Sequence, residues 1–165
     1  MTNYVGLKLS DADQQKLRAK FQPQFSTLKC DHITLSLTDD FTQAQKLAQA
    51  IKDVKITGYV TDNKGIDILL VTINGTHQRD WWGYYHITHS LNPNINAPRD
   101  YDIFSAPNAQ TAMPYSPKMA NGLLHKAFTD AASLKQNNID VVHLNTPITI
   151  TPKPYMKHNG QHTPL

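Results

Sequence analysis

Two hexapeptides of this 165-residue chain carry the residue types that acid–base chemistry needs. Residues 32–37 read His-Ile-Thr-Leu-Ser-Leu and residues 86–91 read His-Ile-Thr-His-Ser-Leu, so five of six positions are identical. Because successive side chains of a β-strand point to opposite faces, each copy in a strand presents its histidine and threonine on one face. One His-x-Thr tripeptide arises easily by chance, whereas two copies in predicted strands favour a functional site.

The residue types of the repeat fit proton transfer at a phosphodiester. Histidine titrates near neutral pH, so of two facing imidazoles one can accept a proton while the other donates one. Positioned hydroxyl groups can donate to the non-bridging oxygens of a phosphate. The sequence therefore predicts His32 and His86 as the catalytic pair and Thr34 and Thr88 as the phosphate-binding residues. It does not say which histidine is the acid.

Aromatic residues lie directly before the second copy and near the start of the chain. Trp81, Trp82 and Tyr84 precede His86, and Tyr4 opens the first predicted strand. Aromatic rings stack on nucleobases for about 1–3 kcal/mol each. All four are candidate base-stacking residues, and the strand register predicts that Tyr84 faces the same side as His86. The alternative is that some of them belong to the core.

Other polar residues are weaker candidates. The strand register puts His89 on the opposite face from His86, which predicts a hydrogen-bonded core or rim histidine. Arg79, Lys8 and Lys118 could steer a phosphate, but a solvated surface position is the expectation for each.

The chain lacks the usual ingredients of a metal or disulfide site. Cys30 is the single cysteine, and the 13 acidic residues are all aspartate. The histidines do not recur at a chelating spacing. We therefore predict no metal, no cofactor and no intrachain disulfide. A reducing cytoplasmic setting fits one cysteine and an N-terminus without a signal-peptide pattern.

The overall composition indicates one globular domain. The chain is 39% hydrophobic and 18% charged, with a net charge of +3. No apolar stretch approaches the roughly 20 residues that a membrane helix needs. The positive charge is also small for a protein that tracks a long duplex. We expect neither a membrane nor duplex DNA as a partner, and the oligomeric state stays open.

Hydrophobic periodicity and turn residues predict the elements that position the repeat. The predicted strands are 4–9, 32–37, 56–61, 66–73, 84–91, 141–144 and 148–150. The predicted helices follow Ser10 as far as Gln22 and run over 41–52 and 119–136. The second helix has an apolar stripe of Phe41, Ala44, Leu47, Ala48 and Ile51. This order predicts an α+β fold with helices packed on mostly antiparallel strands.

Two segments stand apart from this pattern. Residues 92–117 hold five of the ten prolines, which is typical either of a lid or binding loop or of a solvated insertion. Residues 151–165 contain lysine, histidine and three prolines without any acid, and we expect a loose tail. Residues 1–165 are thus interpreted as a single domain.

Paired His-x-Thr strands in an α+β chain resemble the 2H phosphoesterase superfamily. The resemblance runs from the strand at Tyr4 to about His89 and is strongest over Tyr-Val-Gly-Leu (4–7) and Cys-Asp-His-Ile-Thr-Leu (30–35). It is similar to the cyclic phosphodiesterase domains of fungal-type tRNA ligases and to phage anti-CBASS nucleases that destroy cyclic oligonucleotide signals. The resemblance implies a bilobal fold, with two antiparallel sheets facing a central groove, helices packed outside and one motif per lobe.

The function expected from the residues and the resemblance together is metal-independent hydrolysis of a ribonucleotide phosphodiester. A cyclic oligonucleotide signal, met in a host cytoplasm if the protein is phage-encoded, is the favoured substrate. The alternatives are a 2',3'-cyclic phosphodiesterase acting on RNA ends and a nucleotide-binding module without turnover.

Overall fold

The strands form two antiparallel sheets. A computed structural model describes residues 3–79, 83–94 and 117–165, except for the side chains of residues 117–119 and 131. The elements are β1 (Tyr4–Lys8), α1 (Asp11–Lys20), β2 (Thr27–Leu28), β3 (His32–Ser36), α2 (Phe41–Gln49), β4 (Val54–Thr61), β5 (Ile66–Ile73), β6 (His86–Leu91), α3 (Pro117–Thr129), α4 (Ala131–Gln136), β7 (Asp140–Ile150), β8 (Lys153–His158) and β9 (Gln161–Pro164).

Each sheet holds one copy of the repeat. The small sheet has the strand order β3-β1-β8-β9 and carries the first copy in β3. The large sheet has the order β2-β6-β5-β4-β7 and carries the second copy in β6. The fold is α+β and bilobal, with two antiparallel sheets at a central groove, as the resemblance implies.

Two apolar clusters hold the elements together. The larger cluster joins the inner face of the small sheet, helices α1 and α2 and one face of the large sheet. The smaller cluster packs the other face of the large sheet against α3. Strand β5 contributes Leu69 and Val71 to the first cluster and Ile68 and Leu70 to the second. Its nearly continuous apolar sequence follows from burial on both faces.

Local sequence signals set several element boundaries. The hydroxyl of Ser10 accepts a hydrogen bond from the backbone N–H of Asp13 and caps α1, as expected. The carboxylate of Asp40 accepts from the N–H of Gln43 and caps α2. In the β4–β5 hairpin one oxygen of Asp62 accepts three backbone N–H groups of residues 64–66. These short-range bonds explain why the sequence placed these boundaries well.

The expectation of a loose tail over residues 151–165 is wrong. Strand β8 pairs along the whole of β1, and β9 pairs with β8. Asn159 and Gly160 between them both have positive φ, 51° and 81°. Two such residues favour a tight β-hairpin turn. The tail therefore completes the small sheet.

Other boundaries also differ from the sequence prediction. The expected helix over 119–136 is two helices, because Asp130 leaves helical geometry and caps α4 through the N–H of Ser133. The two short strands over 141–150 are one strand, β7, held along β4. Strand β2 was not predicted. Phe41 lies at the first position of α2 and is 45% exposed, so it is not part of the buried stripe.

Some predictions fall on residues that the structure does not describe. These are Trp81 and Trp82 and nearly all of the proline-rich segment, residues 95–116. In the part of the chain that is described, every helix is too short or too polar to span a bilayer.

Candidate active site

One segment of backbone brings the two copies of the repeat together. Thr27 and Leu28 pair with the end of β6. The N–H groups of Lys29 and Cys30 then donate to the carbonyls of His89 and Thr88, at 2.9 and 2.7 Å. The chain next leaves the large sheet and enters the small sheet as β3. The residues immediately before His32 are thus hydrogen-bonded to the strand that carries His86.

Cys30 is the residue at which the chain changes sheets. Its φ is 61°, in the left-handed region that residues with a side chain rarely adopt. Its side chain is fully buried in the larger cluster, and burial raises the pKa of the thiol to about 11. Cys30 therefore acts as an apolar, protonated anchor at this turn.

His32 is oriented by an aspartate and a tyrosine. The hydrogen bond between His32 Nδ1 and Asp31 Oδ1 is 2.7 Å long and lowers the pKa of the Asp31 carboxyl to about 2. Because that carboxylate is ionised, Nδ1 of His32 carries the proton and donates it. The ring of Tyr4 stacks on the imidazole at 5.5 Å between centroids. The Tyr4 hydroxyl is 2.8 Å from that of Tyr155, so the stacking ring is itself held.

His86 has a different environment. It is 8% exposed, and burial lowers its pKa from 6.5 to about 4, against a smaller raising effect of its hydrogen bond to the Tyr84 carbonyl. Arg79 and His32 lower the pKa of His86 further through electrostatic repulsion, so the two imidazoles lie within electrostatic range of each other. A carbonyl can only accept, so Nδ1 of His86 is protonated and Nε2 keeps its lone pair.

Arg79 connects the two lobes from the inside. Surface solvation was expected, but the residue is only 7% exposed. Its guanidinium donates to the Thr34 carbonyl at 3.3 Å and to Asn121 Oδ1 at 3.0 Å. The same Asn121 oxygen accepts from the N–H of Tyr84 at 2.8 Å. Arg79 thus connects β3 of the small sheet with α3 and with the residues leading into β6.

Gly83 makes this arrangement possible. Its φ is 82°, and a Cβ there would lie 2.5 Å from Asn121 Oδ1 and 2.6 Å from Arg79 Nη2. Strand β6 begins at His86, two residues later than the sequence predicted.

A solved structure shares this fold. The chain titled "Crystal Structure of Fungal RNA Kinase" aligns with a TM-score of 0.53 and 13% sequence identity. The alignment covers 94% of the present chain and 45% of that chain, so this protein spans less than half of its neighbour. At this identity the likeness concerns the fold. No protein-family model and no curated protein matches the sequence.

The remaining candidate residues divide between the site and the core. Thr34 and Thr88 are half-buried on β3 and β6, two positions along from the histidines. Tyr4 lies beside His32 as described above. Tyr84 was expected on the groove face but is 8% exposed in the smaller cluster, with its hydroxyl 3.2 Å from the His125 ring. Its ring is part of the core.

His89 belongs to the core, and the described residues include no cluster of ligands for a metal ion. His89 is fully buried, and its Nε2 donates to the Phe21 carbonyl at 2.6 Å, as expected for a core histidine. Among residues 3–79, 83–94 and 117–165 no group of three His, Cys, Asp or Glu side chains could hold a metal ion.

Two residues of the site, Asp31 and Tyr155, were not predicted from the sequence, and a third, Arg79, was expected at the surface. Asp31 directly precedes His32, and a carboxylate beside a candidate catalytic histidine was a usable signal. Arg79 and Tyr155 gave none, because their partners lie far away in sequence. Together the geometry supplies a neutral, buried imidazole in one lobe and an imidazole paired with a carboxylate in the other.

Proposed function

We propose that this protein is a 2H-type phosphodiesterase that hydrolyses a ribonucleotide phosphodiester with two histidines and without a metal. The observation that carries the proposal is the different environment of the two imidazoles. His86 is neutral at pH 7 because its pKa is about 4, and its Nε2 holds a lone pair. His32 donates through Nδ1 to the ionised carboxylate of Asp31 at 2.7 Å, which fixes the orientation of its ring.

These environments suit complementary roles. On a 2',3'-cyclic phosphate, Nε2 of His86 removes a proton from water as the water oxygen attacks phosphorus. His32 protonates the ribose oxygen as its bond to phosphorus breaks, leaving a phosphate monoester. The hydroxyls of Thr34 and Thr88 donate to the non-bridging oxygens, where negative charge develops. Exchange with solvent then returns both histidines to their starting states.

On a 3'–5' linkage the neighbouring ribose 2'-hydroxyl takes the place of water. His86 removes the proton of that hydroxyl, and His32 protonates the departing 5' oxygen. The same site thus acts on cyclic oligonucleotides, which the sequence favours, and on RNA ends that carry a 2',3'-cyclic phosphate. The fold neighbour, titled an RNA kinase, supports an RNA-type substrate.

Turnover by matched histidine variants tests the proposal. The substrates are 2',3'-cyclic mononucleotides, a 2',3'-cyclic-ended oligoribonucleotide and cyclic di- and trinucleotides, with products separated by chromatography. We expect His32→Ala and His86→Ala to lower kcat by about 10²- to 10⁴-fold. His143→Ala is the control, because His143 is exposed on β7. Retention of ligand without product would favour a binding module, and a folded His32→Ala or His86→Ala variant with the wild-type rate would contradict the mechanism.

A further inference from the structure

The face of the small sheet that bears His32 continues as a row of basic and aromatic residues. Lys8 on β1 lies directly between His32 on β3 and Lys153 on β8. Four residues before Lys8 on the same face of β1, Tyr4 pairs with Lys157 of β8. The platform, as we call this surface, consists of Tyr4, Lys8, Lys153, Tyr155, Lys157 and His162.

Strand alternation places the platform on the outer face. The intervening residues Val5, Leu7 and Met156 are buried in the larger cluster. A Cβ on Gly6 would meet the rings of Tyr155 and Tyr4, each at 3.2 Å, so both rings lie on the side opposite that cluster. Lys8 and Lys153 are exposed there.

The lysines of the platform are only partly balanced: Asp31, which precedes β3 and is hydrogen-bonded to His32, lies within electrostatic range of Lys8. Strands β1, β3, β8 and β9 contain no acidic residue. Lys8 and Lys153 are direct cross-strand neighbours, and like charges in that position destabilise a sheet. Within the described ranges neither lysine, nor Lys157, has a carboxylate oxygen within 4 Å. A surface serving only solubility would intersperse both signs.

Aromatic rings accompany these cations. Lys157 Nζ lies 5.8 Å from the centre of the Tyr4 ring, and the same ring stacks on His32. The Tyr155 ring lies 5.0 Å from that of His162 but is only 6% exposed, so the rings open to a base are those of Tyr4 and His162. Proteins bind single-stranded nucleic acid with basic side chains that contact the phosphates and aromatic rings that stack on the bases.

We propose that the platform binds the nucleotides adjoining the reacting phosphate of a single-stranded RNA. This inference rests on the proposed function only in taking His32 as the place where that phosphate lies. At about 4.8 Å between strands the platform is about 14 Å wide, which suits a few nucleotides of one strand. The substrate it favours is a linear RNA end, in preference to a small cyclic oligonucleotide that the groove alone would hold.

Binding of an RNA without a reactive end tests the platform apart from catalysis. The probe is a fluorescent single-stranded octaribonucleotide with a 3'-hydroxyl, followed by anisotropy. Three lysine contacts give a slope of about −2 for log affinity against log salt, and each lysine is worth about 5-fold between 1 M and 0.1 M salt. Lys153→Ala and Lys157→Ala should therefore each weaken binding about 5-fold and flatten the slope by about 0.7.

Controls separate this surface from charge alone. Lys46→Ala removes the same charge from an exposed position on α2, outside the small sheet, and should bind like the wild type. Lys153→Ala should melt no lower than the wild type, because it relieves a like-charge pair. The inference is overturned if the three variants bind alike, or if an oligoaspartate or an RNA duplex competes as well as the single strand.

Turnover of substrates of different length then links the platform to the groove. Each platform variant should lose about 5-fold more kcat/KM on a 2',3'-cyclic-ended octanucleotide than on a 2',3'-cyclic mononucleotide. Equal losses on both would contradict the platform and leave the phosphodiesterase standing. Weakened RNA binding in the variants, with no turnover of any phosphodiester by the wild type, would instead contradict the proposed function and leave the platform standing.

Discussion

Replacing His86 with glutamine should remove a pH dependence from folding stability. Burial lowers the pKa of His86 from 6.5 to about 4. Between pH 6.5 and pH 4, His86 is protonated in the unfolded chain but stays neutral in the folded protein. The free energy of unfolding therefore decreases as the pH falls towards 4. For this one group the loss is about 2 kcal/mol between pH 7 and pH 5 and about 3 kcal/mol at pH 4.

Urea unfolding at several pH values, followed by circular dichroism, measures this effect. The free energy of unfolding should fall by about 2 kcal/mol less between pH 7 and pH 5 in His86→Gln than in the wild type. His158→Gln removes an exposed imidazole of β8 whose charge does not act on His77, His86 or His89, and should keep the wild-type dependence. His77 and His89 also have pKa values lowered by burial, but they are common to all three proteins. Equal pH dependence in His86→Gln and the wild type would refute the assignment of a buried neutral His86.

The lowered pKa of His86 should also be visible in the pH dependence of catalysis. If His86 is the base, kcat/KM should fall only as the pH approaches about 4, where the free enzyme protonates it. A bound phosphate anion favours the imidazolium, so the acid limb of kcat should lie at higher pH than that of kcat/KM. Coincident acid limbs would argue against proton transfer through His86.

Three further outcomes are expected. Gly83→Ala should destabilise the fold by about 1–3 kcal/mol more than Gly75→Ala, as measured by urea unfolding. Both glycines have a φ of 82°, so the backbone strain is shared, but only at Gly83 would a Cβ overlap Asn121. Equal costs would mean that this close approach is unimportant. Asp31→Asn should lower kcat roughly 10- to 100-fold with little change in KM, since the His32 ring loses its charged partner. Activity should persist in excess EDTA, and a loss that a divalent ion restores would contradict the metal-free mechanism.

The sequence predicted those parts of the fold whose signals are local. The repeat in β3 and β6, the caps at Ser10 and the turn at Asp62 depend on neighbours within a few residues. The C-terminal hairpin was missed because its outer face is polar and its stability comes from pairing with β1, about 150 residues away. Its Asn159–Gly160 turn was nevertheless a readable signal.

The site was predicted less completely than the fold. The alternation of side chains along a strand predicted the two histidines and two threonines, but it did not predict the residues around them. Tyr84 lies on the same side of the sheet as His86, as the strand register predicted, but its ring is buried because the smaller cluster covers that side. Arg79 was taken for a surface residue because its burial depends on Asn121, 42 residues later. The pKa of His86 likewise depends on burial, which a single strand's sequence does not specify.

The division of roles between the two histidines is tested most directly by changing the leaving group. A ribonucleoside 3'-(p-nitrophenyl phosphate) reacts through its 2'-hydroxyl and releases p-nitrophenolate, which needs no general acid. His32→Ala, slow by about 10²- to 10⁴-fold on a ribose leaving group, should approach the wild-type rate on this ester, whereas His86→Ala should stay slow on both. Rescue of His86→Ala in place of His32→Ala, or equal loss in both variants on both substrates, would contradict the mechanism.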